Sequence, residues 1–270
     1  MITSVLRHCR ASAARKSAIR HLQSAGRMDP ARIAELLKPF LTPSGPSTAL
    51  EDLSFRAGFS PEESAVLTPS QLGEISTYID ILLRWNARIN LTAVRQPDQV
   101  VTRHFGESLF AARHLFPSAR TKWAEPNNQR PAANVPQLID VGSGAGFPGL
   151  PIKIYAPHIQ LTLIESNQKK AAFLREVIRS VTLTNVDVFA SRAERFPAQA
   201  DVVTLRAVER FDAALPVAAR LVIPSGRLAL LIGQAQIGRA RKLTPGFRWS
   251  DPLAIPLSSS RILLIGSSGN

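Results

Sequence analysis

Asp140-Val141-Gly142-Ser143-Gly144-Ala145-Gly146-Phe147-Pro148-Gly149 is the stretch whose residue types and spacing point to chemistry. It places glycines at alternate positions directly after a short apolar run, Leu138 to Val141. Such glycines let the chain turn tightly and bring its backbone against a ligand with no Cβ in between. In open α/β sheets the crevice at the carboxyl end of the first strand is where nucleotides bind. Glu165 closes the next apolar run, 23 residues after Gly142, where a carboxylate takes the hydroxyls of a ribose.

Which nucleotide follows from the spacing. Dinucleotide sites use G-x-G-x-x-G, whose last glycine lets a helix N-terminus close on a pyrophosphate. This chain has G-x-G-x-G, and Phe147-Pro148 stands where that helix would begin. Proline removes a donor, and Asp140 repels a diphosphate. A cationic ligand suits the aspartate, and S-adenosylmethionine carries both a sulfonium and an ammonium. A dinucleotide, or a glycine loop that only packs a strand on a helix, are the alternatives. Ser191-Arg192-Ala193-Glu194 follows a third strand-like run and can reach an adenine edge, and Arg206 ends a fourth at the crevice rim. The bland alternatives are a solvated helix start for Glu194 and a surface ion pair for Arg206.

These residues need elements to hold them. Strands are expected at Leu138 to Val141, Leu161 to Ile164, Val186 to Phe189, Val202 to Leu205, Leu228 to Ile232 and Arg261 to Ile265. Helices fit Leu150 to Tyr155, Phe173 to Val181 and Ala213 to Val222. Alternating units of this kind imply a parallel sheet covered on both faces. Ahead of them, Ile33, Leu36, Leu37 and Phe40 have helical spacing. Thr68-Pro69-Ser70-Gln71 reads as a capping box with proline at the first turn, followed by Leu72, Ile75, Ile79, Leu82 and Ile89 on one face. A further helix after Pro97 turns Val101, Phe105, Leu109 and Ala112 inward. The expected organisation is a basic, disordered extension (1–27), a helical part with proline-rich linkers (28–135), and a Rossmann-like α/β domain (136–270).

Composition bounds the rest. The chain has 270 residues, 45% apolar, with a net charge of +13. A wholly disordered protein is excluded at that apolar content. The single cysteine, Cys9, excludes a disulfide scaffold and a multi-thiolate zinc site. The longest aliphatic runs fall short of the roughly 18 residues of a membrane-spanning helix. Six basic groups and no acid lie in residues 1–27, leaving +7 on the remainder, a surplus that attracts polyanions. The acid-free start reads as a disordered tail or an early start with Met28 the beginning, and alternatively as an organellar transit peptide.

Taken together, the chain resembles the bacterial small-subunit (16S) rRNA guanine-N7 methyltransferases of the glucose-inhibited division protein B type. The likeness runs from about Leu72 to Ile265. It rests on Leu83-Arg84-Trp85-Asn86 with Ile89-Asn90-Leu91-Thr92, on Arg103-His104-Phe105 with Glu107-Ser108, on the glycine turn, and on Ser191 to Glu194. The resemblance implies a class I S-adenosylmethionine-dependent methyltransferase fold. It implies a cofactor site at Gly142, Gly144, Phe147, Glu165, Ala193, Glu194 and Arg206. It implies methylation of one guanine in 16S rRNA, at the family's 527 position, by a cytoplasmic monomer without metal. Arg103, His104, Lys169 and Arg192 are the implied RNA contacts. Two departures stand out: Ile232-Gly233 replaces a lysine-glycine pair, and the C-terminus lacks a basic ending. Guanine N7 offers an in-plane lone pair, so no general base is expected, and Trp85, Phe105 or Phe147 could stack on an exposed base. A methyltransferase for another RNA or a small molecule, or a non-catalytic RNA-binding protein, are the rival readings.

Overall fold

The structure, a computed structural model, describes residues 27–42, 67–117, 135–208 and 210–269. The expected extension at 1–27 therefore lies almost wholly outside the described residues, as does most of the proline-rich connection before Gln137.

The front of the chain forms helices where its caps and spacing ask for them. α1 (Pro30–Leu41) is capped by Asp29 and buries Ile33, Leu37 and Phe40. α2 (Pro69–Asn86) opens with the anticipated box: Gln71 Oε1 accepts from the Thr68 N–H at 2.9 Å, and the Thr68 hydroxyl accepts from the Gln71 N–H at 3.2 Å. Ile89 falls beyond its end, because the chain turns at Ala87. After Pro97 comes one helical rod with a fault in it. A single turn, α3 (Pro97–Val100), widens into a π-helix over Val101–Gly106 before α4 (Glu107–Leu115) resumes. Val101, Phe105, Leu109 and Ala112 are all buried as expected.

The remainder builds one sheet. β1 (Gln137–Val141), β2 (Gln160–Ile164), β3 (Val186–Phe189), β4 (Ala200–Arg206) and β5 (Val222–Gly233) pair in parallel, joined by α5 (Gly149–Tyr155), α6 (Gln168–Ser180) and α7 (Phe211–Arg220). After β5 come α8 (Ile237–Leu243), β6 (Phe247–Trp249), β7 (Leu253–Ala254) and β8 (Arg261–Ser268). β8 runs antiparallel to β5, with β6 and β7 on β8, so the order is 3-2-1-4-5-8-6. Reversal of strand order at β1/β4 opens the crevice at their carboxyl ends. This is a Rossmann-like doubly wound fold. α8, β6 and β7 had no periodic signal, being three to seven residues of mixed polarity or fewer.

Alternation along the strands sends side chains to two cores. Ile139, Val203, Leu205, Leu230 and Leu264 face α7 and α8. Leu138, Leu161, Leu163, Val202 and Leu231 face the other way, into one continuous cluster with Ile75, Tyr78, Phe105, Leu109 and Phe173. The front helices therefore share a core with the sheet. Tyr78, Phe105 and Phe147 form its aromatic centre: Tyr78 stacks on Phe147 with centroids 5.4 Å apart, and Phe105 meets Phe147 edge-on at 5.2 Å. Truncation of the fully buried ring, Phe105→Ala, is expected to destabilise the fold by about 3–5 kcal/mol, read from urea unfolding of the two proteins.

Candidate adenosyl crevice and its arginine rim

The glycine turn sits at the carboxyl end of β1. Gly142, Gly144 and Gly146 have φ of +69°, +57° and +86°, values that side chains bearing a Cβ rarely adopt. At Gly144 nothing crowds an added Cβ closer than the Gly142 carbonyl at 3.7 Å, so the turn presents bare backbone. Gly146 is tight, with the Tyr78 hydroxyl, which donates to the Ala145 carbonyl, lying where a side chain would go. Glu165, at the end of β2 and 7% exposed, accepts from the Gly144 N–H at 2.9 Å and the Asn167 N–H at 2.7 Å. The second carboxylate is thus pressed against the turn, with lone pairs to spare beside it.

Asp140 departs from expectation. Rather than facing a ligand, it is fully buried under the turn, accepting from the Thr204 hydroxyl at 2.8 Å and the Gly149 N–H at 3.2 Å. Burial pushes its pKa up to about 6 against those hydrogen bonds. It clamps β1 to β4 and to the start of α5. β3 ends next to β2, and Ala193 and Glu194 follow in a short 3₁₀ turn, the first half-buried and the second exposed. Arg192 and Lys169, the latter in the first turn of α6, are exposed near the same strand ends.

Arg206 ends β4 and is the hub of the other side. Its guanidinium, 8% exposed, donates from Nη2 to the Arg103 carbonyl at 2.6 Å and the Glu107 carboxylate at 2.9 Å, and lies 3.1 Å from His104 Nδ1. The same Glu107 oxygen lies 3.0 Å from Arg261 Nε, at the start of β8. The wide π turn, which holds Arg103 and His104, presents the Arg103 carbonyl to this arginine. Such faults in helices gather at functional sites. Arg206 also lies over Phe147, 5.9 Å from the ring centre.

A family model described as rRNA small subunit methyltransferase G matches residues 71–245. A protein named ribosomal RNA small subunit methyltransferase G from Xanthomonas campestris pv. campestris (strain B100) is 36% identical over 193 residues, 70% of this chain and 82% of that protein. One of the same name from Xylella fastidiosa (strain 9a5c) is 35% identical over 195 residues, 70% of this chain and 82% of that protein. The chain belongs to the rRNA small subunit methyltransferase G family.

The motifs on which the resemblance rests have structural work to do. Asn86 uses its whole amide on the loop that follows: Nδ2 donates to the Thr92 carbonyl, and Oδ1 accepts from the Leu91 and Thr92 N–H groups, all at 2.9–3.0 Å. That fixes Thr92, whose hydroxyl meets His104 Nε2 at 2.7 Å. His104 stacks on Phe147 at 4.8 Å, so both its nitrogens and a ring face are engaged within the chain. Because Nδ1 faces an arginine N–H, the proton belongs on Nε2, donating to Thr92. Phe105 and Phe147 are likewise buried among neighbours, and Trp85 is tied to Glu176 at 2.9 Å and set edge-on to Phe173. Those rings are committed to packing, so none of the three is free to stack on a base. At the position where the resemblance expects lysine, Ile232 is buried in the apolar core.

Two site residues escaped the sequence reading as interacting groups: Glu107 as an ion partner and Arg261 altogether. Glu107 did leave a signal, an acid between Phe105 and Leu109 on a buried helix face. Arg261 left none, since its partner is over 150 positions away in sequence.

Burial, then the charges of Arg206, Arg103 and Arg261, lower the His104 pKa to about 3. The unfolded histidine titrates near 6.5, so the unfolded chain binds the extra proton. The His104 contribution to stability is therefore whole above about pH 6.5 and is lost as pH drops toward 3, against an opposite contribution from the raised Asp140. Between pH 6.5 and 5, the unfolding free energy of the wild type is expected to fall more steeply than that of His104→Gln, by up to about 1.4 kcal/mol per pH unit. Denaturant titrations at several pH values measure the difference.

Proposed function

We propose that the chain transfers a methyl group from S-adenosylmethionine to N7 of a guanine in small-subunit ribosomal RNA. Family membership supports the reaction class. The observation that carries the cofactor is the left-handed glycine turn, open at Gly142 and Gly144, with the Glu165 carboxylate locked against it. These residues fit an adenosyl group: bare backbone at Gly142 and Gly144, a carboxylate for the ribose hydroxyls, and Ala193 and Glu194 at the end of β3 for the adenine edge. Phe147 backs the turn, and Arg206 supports Phe147 and the crevice rim from behind. When bound, S-adenosylmethionine supplies a methyl carbon made electrophilic by its sulfonium.

The chain's own part is positioning. Guanine N7 carries a lone pair in the base plane, so no proton has to leave before attack. The residues nearest the crevice agree with that economy. His104 is neutral and doubly engaged, and Asp140 is sealed under the turn. Neither is placed to accept a proton from substrate. What remains is to hold nucleophile and methyl carbon in line, which is worth several kcal/mol, inside a field of fixed dipoles. Exposed Arg192, Lys169 and Arg103 are the RNA contacts in this reading, and the target guanine lies in an unpaired segment. Net charge supports a polyanionic partner.

Calorimetry is expected to give S-adenosylmethionine binding that Glu165→Gln weakens about tenfold or more, equivalent to about 1.4 kcal/mol. Gly142→Asp, whose Cβ would stand 3.2 Å from Val208 Cγ1, is expected to abolish binding. Mass mapping of ribosomal RNA with and without the gene identifies the base and atom. NAD binding in place of the methyl donor, or an unchanged RNA map, would defeat the proposal.

A further inference from the structure

The glycine turn and Glu165 account for one end of the crevice and leave the charge at the other end unexplained. Arg206 is the last residue of β4. Arg261 is the first residue of antiparallel β8, paired across from Gly233 at the carboxyl end of β5. The two guanidinium groups therefore stand on the same edge of the sheet, on either side of a single carboxylate oxygen of Glu107, at 2.9 and 3.0 Å. Arg206 and Glu107 side chains are 8% and 4% exposed, Arg261 24%. Arg206 Nε is buried with no acceptor, and Arg261 Nε faces Glu107 as an ion pair but without the alignment of a hydrogen bond.

Charge is out of balance there. Among the described residues the other ionisable neighbours are Arg103, exposed on the π turn, Asp140, engaged with Thr204 and Gly149, Tyr78, kept neutral by burial, and His104, held neutral. At the contact itself two guanidinium groups meet one carboxylate, so among the described residues one of the two cations has no acid of its own in contact. A surplus cation held away from water is costly unless a counter-charge completes it. Arg261 is the member that reaches solvent, so the completing anion arrives from outside the protein. A guanidinium fork matches the oxygens of phosphate. The β8 backbone that carries Arg261 lies three strand spacings, about 14 Å, from β1 and its glycine turn, while Arg206 bridges the two by reaching Phe147 of the turn.

We propose that Arg261, backed by Arg206 and flanked by Arg103, seats a backbone phosphate of the ribosomal RNA beside the target nucleotide. This rests on the methyltransfer reading above and assigns its substrate a specific anchor. The competing oxyanion is the carboxylate of the methyl donor.

The test measures, on the full chain, the KM for ribosomal RNA at a series of KCl concentrations and the Kd for S-adenosylmethionine. The proteins compared are the wild type, Arg261→Gln and Arg261→Lys. Arg261→Gln is expected to raise the RNA KM about tenfold and to reduce the slope of its logarithm against log salt by about 1, with donor affinity unchanged. Arg261→Lys, which keeps the charge and loses the fork, is expected to retain the wild-type slope. Because Arg261→Gln could fail to fold, a second measurement uses the wild type alone. Ethylation of single phosphates in the RNA is expected to block binding at one phosphate next to the target guanine. An unchanged slope in folded Arg261→Gln, weakened donor binding with an unchanged RNA KM, or no interfering phosphate near the target would each overturn the site. A wild type that transfers no methyl group to RNA would instead overturn the parent reading, so the two failures are distinct.

Discussion

One carboxylate holds the architecture of the crevice together. Glu107 comes from α4, in the front of the chain, while Arg206 and Arg261 come from β4 and β8, and all three meet within hydrogen-bonding range. Buried ion pairs are rarely strong net contributors, since desolvation offsets their attraction. Stranding one partner, however, costs about 3–5 kcal/mol. The contact therefore acts less as glue than as a register pin: any arrangement of the front helices that misses it leaves two arginines unpaired. It also sets the level of the π turn over the sheet, because the Arg103 carbonyl and His104 are held by the same guanidinium.

From that pin the rest of the site follows in short steps. Arg206 fixes His104, His104 lies on Phe147, and Phe147 belongs to the glycine turn whose open face meets Glu165. Each step is a packed or hydrogen-bonded contact with little freedom. This suits chemistry in which placement, rather than proton transfer, lowers the barrier. The two halves of the crevice divide the work by charge. Acid from Glu165 lines the end proposed for the donor, and the arginines line the end proposed for the RNA.

Much of this was legible from the residues. The capping box at Thr68, the five parallel strands and the turn after Val141 are local patterns, and local patterns survive folding when burial agrees with them. Glu165 was legible for the same reason, as a polar residue ending an apolar run. The unreadable features are those made by distant parts of the chain. Asp140 looks like a ligand contact when only its place beside a crevice is known, and the ion partner of Arg206 is equally hidden from the sequence. Their actual partners, Thr204 and Glu107, lie 64 and 99 residues away. The aromatic residues are hidden in the same way: Phe105 and Phe147, whose types suit stacking on a base, are buried where the front helices close over them. The π turn has no sequence signature at all, since its extra residue is accommodated by the wide ring and by the arginine beneath it.

The Asn86 side chain holds a different lesson. Its three hydrogen bonds give the segment after α2 the backbone partners that a strand or helix would otherwise provide. The Asn86 amide thus fixes the loop at Leu91 and Thr92, beside the exposed Arg88, Asn90 and Arg95. A segment fixed in this way has already lost conformational entropy at Leu91 and Thr92 on folding, which lowers the ordering cost of any contact made there.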